Sequence, residues 1–259
     1  MKSSNRDDYQ TIARAVGAMA KEFARGTVSA WHCHARAQLL YAPVGVMEVR
    51  TGGTTWVASP QRAIWIPPSC GHEVHFRTAT SVRTFYIDPA VLQGDVPSVP
   101  CSIDVSPLLR ELILRAVEMP IEYDEAGRDG QITSLALAEI EWSTVRPLEL
   151  PALTDSRLQV LREVLENAPA DSRTLEEWAR ALNMSARTLA RLFRAQAGMS
   201  FGQWRQHMRV YAALPRLAAG EPVTAVAFDL GYDSASAFAA VFRRIMGVVP
   251  SRYFAAPRR

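Results

Sequence analysis

The sequence predicts a two-domain α+β protein. An N-terminal β-barrel with a helix pair comes first, followed by an all-α C-terminal domain holding two helix-turn-helix units. Three observations carry this. Residues 23–87 are short β-branched and aromatic runs cut by turn residues. Residues 104–146 hold two stretches of helical length and pattern. Residues 174–198 and 223–247 repeat one pattern of two short helices about a tight turn. A length of 259 residues suits two ordinary domains, and 48% hydrophobic with 21% charged residues is an ordinary globular composition. No run approaches the ~20 apolar residues of a membrane span, and the opening MKSSNRDDYQ lacks the apolar centre of a signal peptide. A cytoplasmic protein with no membrane partner is expected. Cys33, Cys70 and Cys101 are too few and too scattered for a disulfide framework or a structural zinc pair.

Residues 1–22 read as an N-terminal extension, with some helix around Ile12–Lys21. Residues 23–103 form the barrel. VMEVRT, TTWVAS, AIWIPP, HEVHF and VRTFYI are its strand candidates, separated by Pro43, Gly45, Gly52-Gly53, Pro60, Pro67-Pro68 and Gly71. Residues 88–104 are Pro-rich and irregular, a connector. Residues 104–146 form the helix pair. Ser106 caps PLLRELILRAVEM, whose stripe is Leu108, Leu109, Leu112, Ile113 and Val117 and whose stop is Pro120. After the polar turn YDEAGRDG, QITSLALAEIEWSTV gives the second helix, ending before Pro147. Leu135, Ala138, Ile140 and Trp142 share no narrow stripe, so this helix is expected to be covered on more than one side. Residues 147–154 hold two prolines and no periodicity, and read as a linker. A helix then starts at Asp155 or Ser156 and runs to about Asn167.

The repeat organises the rest. In TLEEWARALNMSARTLARLFRAQAG, Leu175, Trp178, Ala179 and Leu182 fall on one helix face, and Thr174 with Glu177 makes a capping box. The pattern breaks at Asn183-Met184. Ser185 caps a second helix that buries Leu189, Leu192 and Phe193 and leaves Arg187, Arg191 and Arg194 outside. In VTAVAFDLGYDSASAFAAVFRRIMG, Ala227, Leu230, Ser234, Phe242 and Gly247 correspond to Ala179, Leu182, Ser185, Phe193 and Gly198. The second turn, Gly231-Tyr232-Asp233, is one residue longer. One face packs and the other offers cations, the division a DNA-reading helix-turn-helix needs. The candidate DNA-contacting residues are Ser185, Arg187, Ala190, Arg191 and Arg194 in the first unit. In the second they are Ser234, Ser236, Ala237, Ala240, Arg243 and Arg244. A long helix, Phe201 to Ala219, joins the units, with Trp204, Met208, Tyr211 and Leu214 facing the core. Pro215 should bend it, and Gly220 ends it. Charge is split accordingly. Residues 154–259 hold 15 arginines against nine acidic residues, a net +6, and residues 1–153 carry −3. A cationic C-terminal part fits a polyanionic partner.

Residues 155–254, within a C-terminal domain expected over residues 155–259, resemble the DNA-binding domain of AraC/XylS transcription regulators. The landmarks are LEEWA, MSARTLARLFRAQAGMSF, the EPVTAVA that follows Gly220, GYDSASAF, VFRRIMG and PSRYF. The resemblance implies double-stranded promoter DNA as partner, two recognition helices in successive major-groove segments, and RNA polymerase as a further partner of an activator. WHCHARAQLLYAPVGVMEVRTGG with IPPSCGHEV resembles the cupin family, a small β-barrel. His32-Cys33-His34 stands for its first motif, with Gln38 where Glu would be, and Pro68 to His72 for its second. In such regulators a cupin-like domain senses a small-molecule effector, and a helix pair like that of residues 104–146 supplies a homodimer interface. The period of two in a strand puts His32 and His34 on one face, and barrel closure would bring them to Gln38 and His72. Two readings of this set stay open. Imidazoles suit a divalent transition metal, although Gln for Glu removes the anionic ligand. Alternatively, the same residues line an effector pocket. The leading expectation is a sequence-specific regulator without catalysis. The alternative is a metal-dependent cupin enzyme, a dioxygenase or isomerase, fused to a DNA-binding domain.

Overall fold

The computed structural model describes residues 3–142, 150–151 and 153–254. The chain forms two compact units, residues 1–52 with 56–147, and residues 53–55 with 148–259.

Among the described residues, nine strands lie wholly or mostly in the first unit: β1 (Val16–Phe23), β2 (Val28–His32), β3 (Ala37–Val44), β4 (Met47–Thr51), β5 (Thr54–Ala58), β6 (Arg62–Ile66), β7 (His72–Phe76), β8 (Thr80–Ile87) and β9 (Cys101–Asp104). They make two sheets, ordered β1-β8-β3-β6-β9 and β5-β4-β7-β2. The pairings of β1 with β8, β2 with β7, β3 with β6 and β8, β4 with β7 and β6 with β9 are antiparallel. Strand β3 shows why the barrel reads as a near-continuous apolar run there, because both its faces are buried. Leu39 and Tyr41 pack with Trp65, Phe85 and Ile87 under a helix layer, whereas Leu40 and Ala42 face Met47, Val49, Val74, Phe76 and Val82 inside the barrel. Strand β7 alternates instead, with His72, Val74 and Phe76 buried and Glu73 and His75 half-exposed.

Two expectations change here. Helix was expected near Ile12–Lys21, inside an N-terminal extension ending at residue 22, but Val16–Phe23 is strand β1. Its eight residues pair with β8 from Val16↔Ile87 to Phe23↔Thr80. The Ala and Met residues suit a helix, and the long-range ladder overrides that local preference. Before it, a single 3₁₀ turn over Arg6–Tyr9, capped by Asn5, buries Tyr9 completely. The connector expected over residues 88–104 likewise ends in a strand, because β9 pairs with β6.

Helix α1 (Pro107–Ala116) starts where expected. Ser106 Oγ accepts from the Leu109 N–H at 3.0 Å. Helix α2 spans Arg128–Ala138, not 131–145. It begins inside the expected turn, with Asp129 in its first turn, where a carboxylate meets the positive helix end. Gly130 permits this, since a Cβ there would lie 1.9 Å from the Glu125 carbonyl oxygen. Beyond the helix end, Ile140 is buried and Trp142 meets Trp65 edge-on at 4.7 Å. Residues 143–149 and 152, which include the expected helix end and much of the expected linker, lie outside the described residues.

The second unit is helical: α3 (Ser156–Asn167), α4 (Leu175–Ala181), α5 (Ala186–Ala197), α6 (Phe201–Ala218), α7 (Val223–Asp229), α8 (Ala235–Met246) and α9 (Pro250–Tyr253). Local chemistry sets nearly every boundary. Thr174 and Glu177 form the expected capping box, and Ser200 with Gln203 forms another. Ser185 and Ser234 cap α5 and α8, and Gly198 and Gly247 end them at φ 65° and 86°, where glycine has no Cβ to clash. Leu158, Leu161, Trp178, Leu189, Phe193 and Trp204 are buried in one core. Each such side chain contributes on the order of 2 kcal/mol through area removed from water. Helix α6 runs through Pro215 to Ala218, so the missing N–H removes a rung without ending the helix. Among the described residues, no helix is long and apolar enough to cross a membrane.

Candidate nucleic-acid interface and effector cavity

Helix α5 buries Leu189, Phe193 and Ala197 and exposes Arg187, Arg191 and Arg194. The arginines of this unit fall into two groups. Arg157, Arg162, Arg173 and Arg216 are held by carboxylates. Arg205 and Arg209 donate to backbone carbonyls, and Arg244 donates to Gln206 on α6. By contrast, Arg187, Arg191, Arg194 and Arg243 carry no ion pair or hydrogen bond to another described residue. Holding an arginine beside a carboxylate would waste it as a phosphate ligand, and on α5 no carboxylate intervenes. Arg180 on α4 is also exposed and unpaired among the described residues, a position that motif reasoning missed because it precedes the recognition helix.

The cap hydroxyls are already engaged. Ser185 Oγ accepts from the Thr188 N–H at 3.1 Å, and Ser234 Oγ accepts from the Ala237 N–H at 3.1 Å and lies 3.0 Å from Ser236 Oγ. Both serines therefore first order the helix N-terminus, whose remaining N–H groups suit a phosphate. Ala237 and Ala240 are exposed, and Ala190 is half-buried. On α8 the unpaired cation Arg243 lies in the last turn.

One residue joins the two helix-turn-helix units. Arg209, midway along α6, donates from Nε to Pro169 O at 2.9 Å and from Nη1 to Gly231 O at 3.1 Å. Its Nη2 donates to Asp171 O at 3.3 Å and to Ala170 O at 3.4 Å. Its guanidinium also lies 5.3 Å from the Tyr232 ring centroid. The segment ahead of α4 is thereby tied to the turn between α7 and α8. Gly231, at φ 76°, leaves room for it, since a Cβ would lie 2.9 Å from Nη2. Nothing in the local sequence marks Arg209, because its partners are far along the chain.

In the first unit, the fold brings His32, His34, Gln38 and His72 together. His32 stands opposite His72 in the β2–β7 register, and Gln38 stands opposite Tyr86 between β3 and β8. His34 lies past the end of β2, where its carbonyl accepts from the Ser69 N–H at 2.8 Å. Ring centroids are 4.2 Å apart for His32–His72 and 5.2 Å for His34–His72. Each Nδ1 is held by a carbonyl: His32 by Ala30 at 2.7 Å, His34 by Arg36 at 2.6 Å and His72 by Cys70 at 2.9 Å. The Gln38 amide nitrogen donates to Thr84 Oγ1 at 3.1 Å and Tyr86 Oη at 3.4 Å, and its Oε1 lies 3.0 Å from His34 Nε2. Burial, helped by the neighbouring His32, His34 and Arg6 charges, pushes His72 down to about 4, so it is neutral at physiological pH. Burial lowers His32 and raises the Tyr86 phenol in the same way.

His32, Gln38, His72, Thr84 and Tyr86 sit on the wall of a cavity of about 300 Å³, and His34 stands behind them, against Gln38. The cavity's other lining includes Arg6, Asp7, Met19, Lys21, Leu40, Val74, Phe76 and Val82. Arg6, Lys21, Thr84 and Tyr86 had no motif to announce them; cross-strand register places Lys21, Thr84 and Tyr86, and the 3₁₀ turn ahead of β1 brings Arg6. Cys33 is exposed and lies outside this lining. The thiols of Cys70 and Cys101 are pushed up by burial, the latter to about 11, which is opposite to what a reactive thiol requires.

Residues 19–138 match the family described as AraC-like ligand binding domain, and residues 178–256 match a helix-turn-helix domain family. The HTH-type transcriptional regulator NimR of Escherichia coli K12 is 31% identical over 224 residues, covering 86% of this chain and 81% of NimR. The HTH-type transcriptional regulator RipA of Corynebacterium glutamicum is 33% identical over 135 residues, which is 52% of this chain and 40% of RipA. Among solved structures, a DNA-binding transcriptional dual regulator from Escherichia coli K-12 shares 31% identity over 40% of this chain and 93% of its own, with a TM-score of 0.36.

Proposed function

The chain belongs to the AraC family of transcription regulators, and we propose that α5 and α8 read promoter DNA while the barrel cavity around His32, His34, Gln38 and His72 receives the effector. The observation that carries this is the set of exposed arginines on these helices, Arg187, Arg191 and Arg194 on α5 and Arg243 on α8, none of which has an ion pair or hydrogen bond to another described residue. Arginine pairs bidentately with guanine O6 and N7, and a good pair discriminates by ~1–3 kcal/mol. The corresponding positions of α8 are Ser236 and Ala240, which offer a hydroxyl and a methyl. Direct readout therefore falls mainly to α5. Helix α8 adds affinity through Arg243, about one helical turn of DNA (~34 Å) away.

The chain acts as a homodimer in this reading, with the exposed Leu108 of α1 and Leu135 of α2 at the contact. It works in the cytoplasm as an activator that engages RNA polymerase, and it carries out no catalysis. The relatives are regulators, and no carboxylate stands at Gln38 to complete an enzyme's metal site.

The test is a binding-site selection with full-length protein. Wild type should return a defined motif, and Arg187→Ala and Arg191→Ala should each return one degenerate at particular base pairs. If both variants return the wild-type motif unchanged, these arginines are phosphate clamps and the assignment fails. Turnover of any substrate by the purified protein would revive the enzyme alternative.

A further inference from the structure

The two recognition helices share a frame and differ in what they show. In the repeat, Arg187, Thr188, Arg191 and Arg194 of α5 correspond to Ser236, Ala237, Ala240 and Arg243 of α8. From the cap Ser234 to Phe242, α8 holds no charged or amide side chain. Phe238 and Phe242 are buried, whereas Ser236, Ala237 and Ala240 are exposed. An exposed helix face ordinarily carries charged or amide residues, and α5 has arginines at two of the matching positions. The first two turns of α8 present methyl groups instead. Its cations come later. Arg243 lies seven residues past Ser236, about 10 Å further along the axis, and Arg244 is held by Gln206. Asp233 precedes the cap and stands outside the helix.

Such a face selects by what it cannot bond. It has no fork to pair with guanine O6 and N7. Pressed against those atoms, it would strip their water and return no hydrogen bond, which is costly. The major groove offers one apolar group, the thymine C5 methyl. Ala237 and Ala240 stand at i and i+3, so their Cβ atoms are neighbours about 5–6 Å apart. At ~3.4 Å per base step, that separation reaches thymines one or two base pairs apart. Ser236, four residues before Ala240 on the same stripe, adds a hydroxyl. Its Oγ lies 3.0 Å from that of Ser234. The two hydroxyls hold two protons and spend one between them. One therefore remains for the thymine O4 or adenine N7 beside the methyl.

We propose that α8 reads thymine methyl groups through Ala237 and Ala240, so that the operator pairs a guanine-bearing segment under α5 with a thymine-bearing segment under α8. This rests on the proposal that both helices enter DNA, and adds the chemistry that the second one recognises.

Binding-site selection with full-length protein locates the two segments. Base pairs that degenerate in Arg187→Ala mark the segment of α5, and the other should lie about one helical turn away. Every thymine of the motif is then replaced singly by 2′-deoxyuridine, which removes the methyl and leaves each hydrogen-bonding group in place. Two sensitive thymines, one or two base pairs apart, are expected in the second segment. Each should lose about fourfold in affinity, the scale of one buried methyl group. Deoxyuridine in the flanking DNA should change nothing. Ala240→Gly should lose the preference for thymine over deoxyuridine at one of the two positions and keep it at the other. Ala240→Arg, which installs the residue of the matching α5 position, should exchange a selected thymine for guanine. The methyl reading is overturned if no deoxyuridine in the second segment costs as much as twofold, or if Ala240→Arg returns the wild-type motif. Should Ala240→Gly lose helix by circular dichroism, the deoxyuridine scan on wild type decides. A wild type that returns no defined motif would overturn the DNA-reading proposal itself. A defined motif with an insensitive second segment overturns this inference alone.

Discussion

Replacing Arg209 by methionine should loosen the two recognition helices from each other before it unfolds them. The guanidinium donates to four carbonyls, those of Pro169, Ala170, Asp171 and Gly231. A net hydrogen bond to a charged donor contributes about 1.5–3 kcal/mol when fully effective. Here the two longer bonds count for little, and parts of the group are open to water that can replace it. A loss of about 2 kcal/mol is the reasonable scale, or roughly 10 °C in the melting temperature of a helical unit this size. The more specific effect is on spacing. One inserted base pair moves a half-site by ~3.4 Å and rotates it by about a tenth of a turn, which a welded pair of units cannot follow. Wild type should lose about tenfold or more, ~1.4 kcal/mol, on a site so lengthened. Arg209→Met should bind the original site more weakly yet lose only two- to threefold on the lengthened one, and Arg209→Lys should fall between. The measurement is a gel-shift titration on both duplexes at one salt concentration. A folded Arg209→Met protein that keeps the full wild-type spacing penalty would refute the weld.

Arg243→Ala should weaken binding to all sequences alike and flatten the slope of log K against log salt by about one unit, read by anisotropy between 50 and 200 mM salt; a sequence-dependent loss would make Arg243 a base reader. Leu108→Glu with Leu135→Glu should turn dimers into monomers in sedimentation without lowering the melting temperature, since both side chains are exposed; wild type that is already monomeric at high concentration ends that proposal. Gly130→Ala should destabilise the first unit by about 1–3 kcal/mol, because the new Cβ meets the Glu125 backbone, which cannot swing aside as a side chain would; an unchanged melting temperature would mean that the 124–130 turn shifts freely.

What could be read from the letters was what local chemistry decides. Thr174 with Glu177, Ser185 and Gly198 lie within one short stretch, so caps, turn and amphipathic face all point the same way, and the second unit followed. Strand β1 was misread because its residues are locally helical and its ladder partner, β8, lies far along the chain. Helix α2 was started late because Gly130 looked like a turn residue, while its actual need was close approach to the Glu125 carbonyl. The cavity shows the same limit in its chemistry. His32, His34 and His72 were visible as motif letters, and so was Gln38 in place of Glu. The substitution looked like a weakened ligand set. What the letters could not show is that Nδ1 of every ring is bonded to a carbonyl, of Ala30, Arg36 and Cys70, so the backbone itself fixes how the three rings stand and no carboxylate at position 38 is needed to orient them.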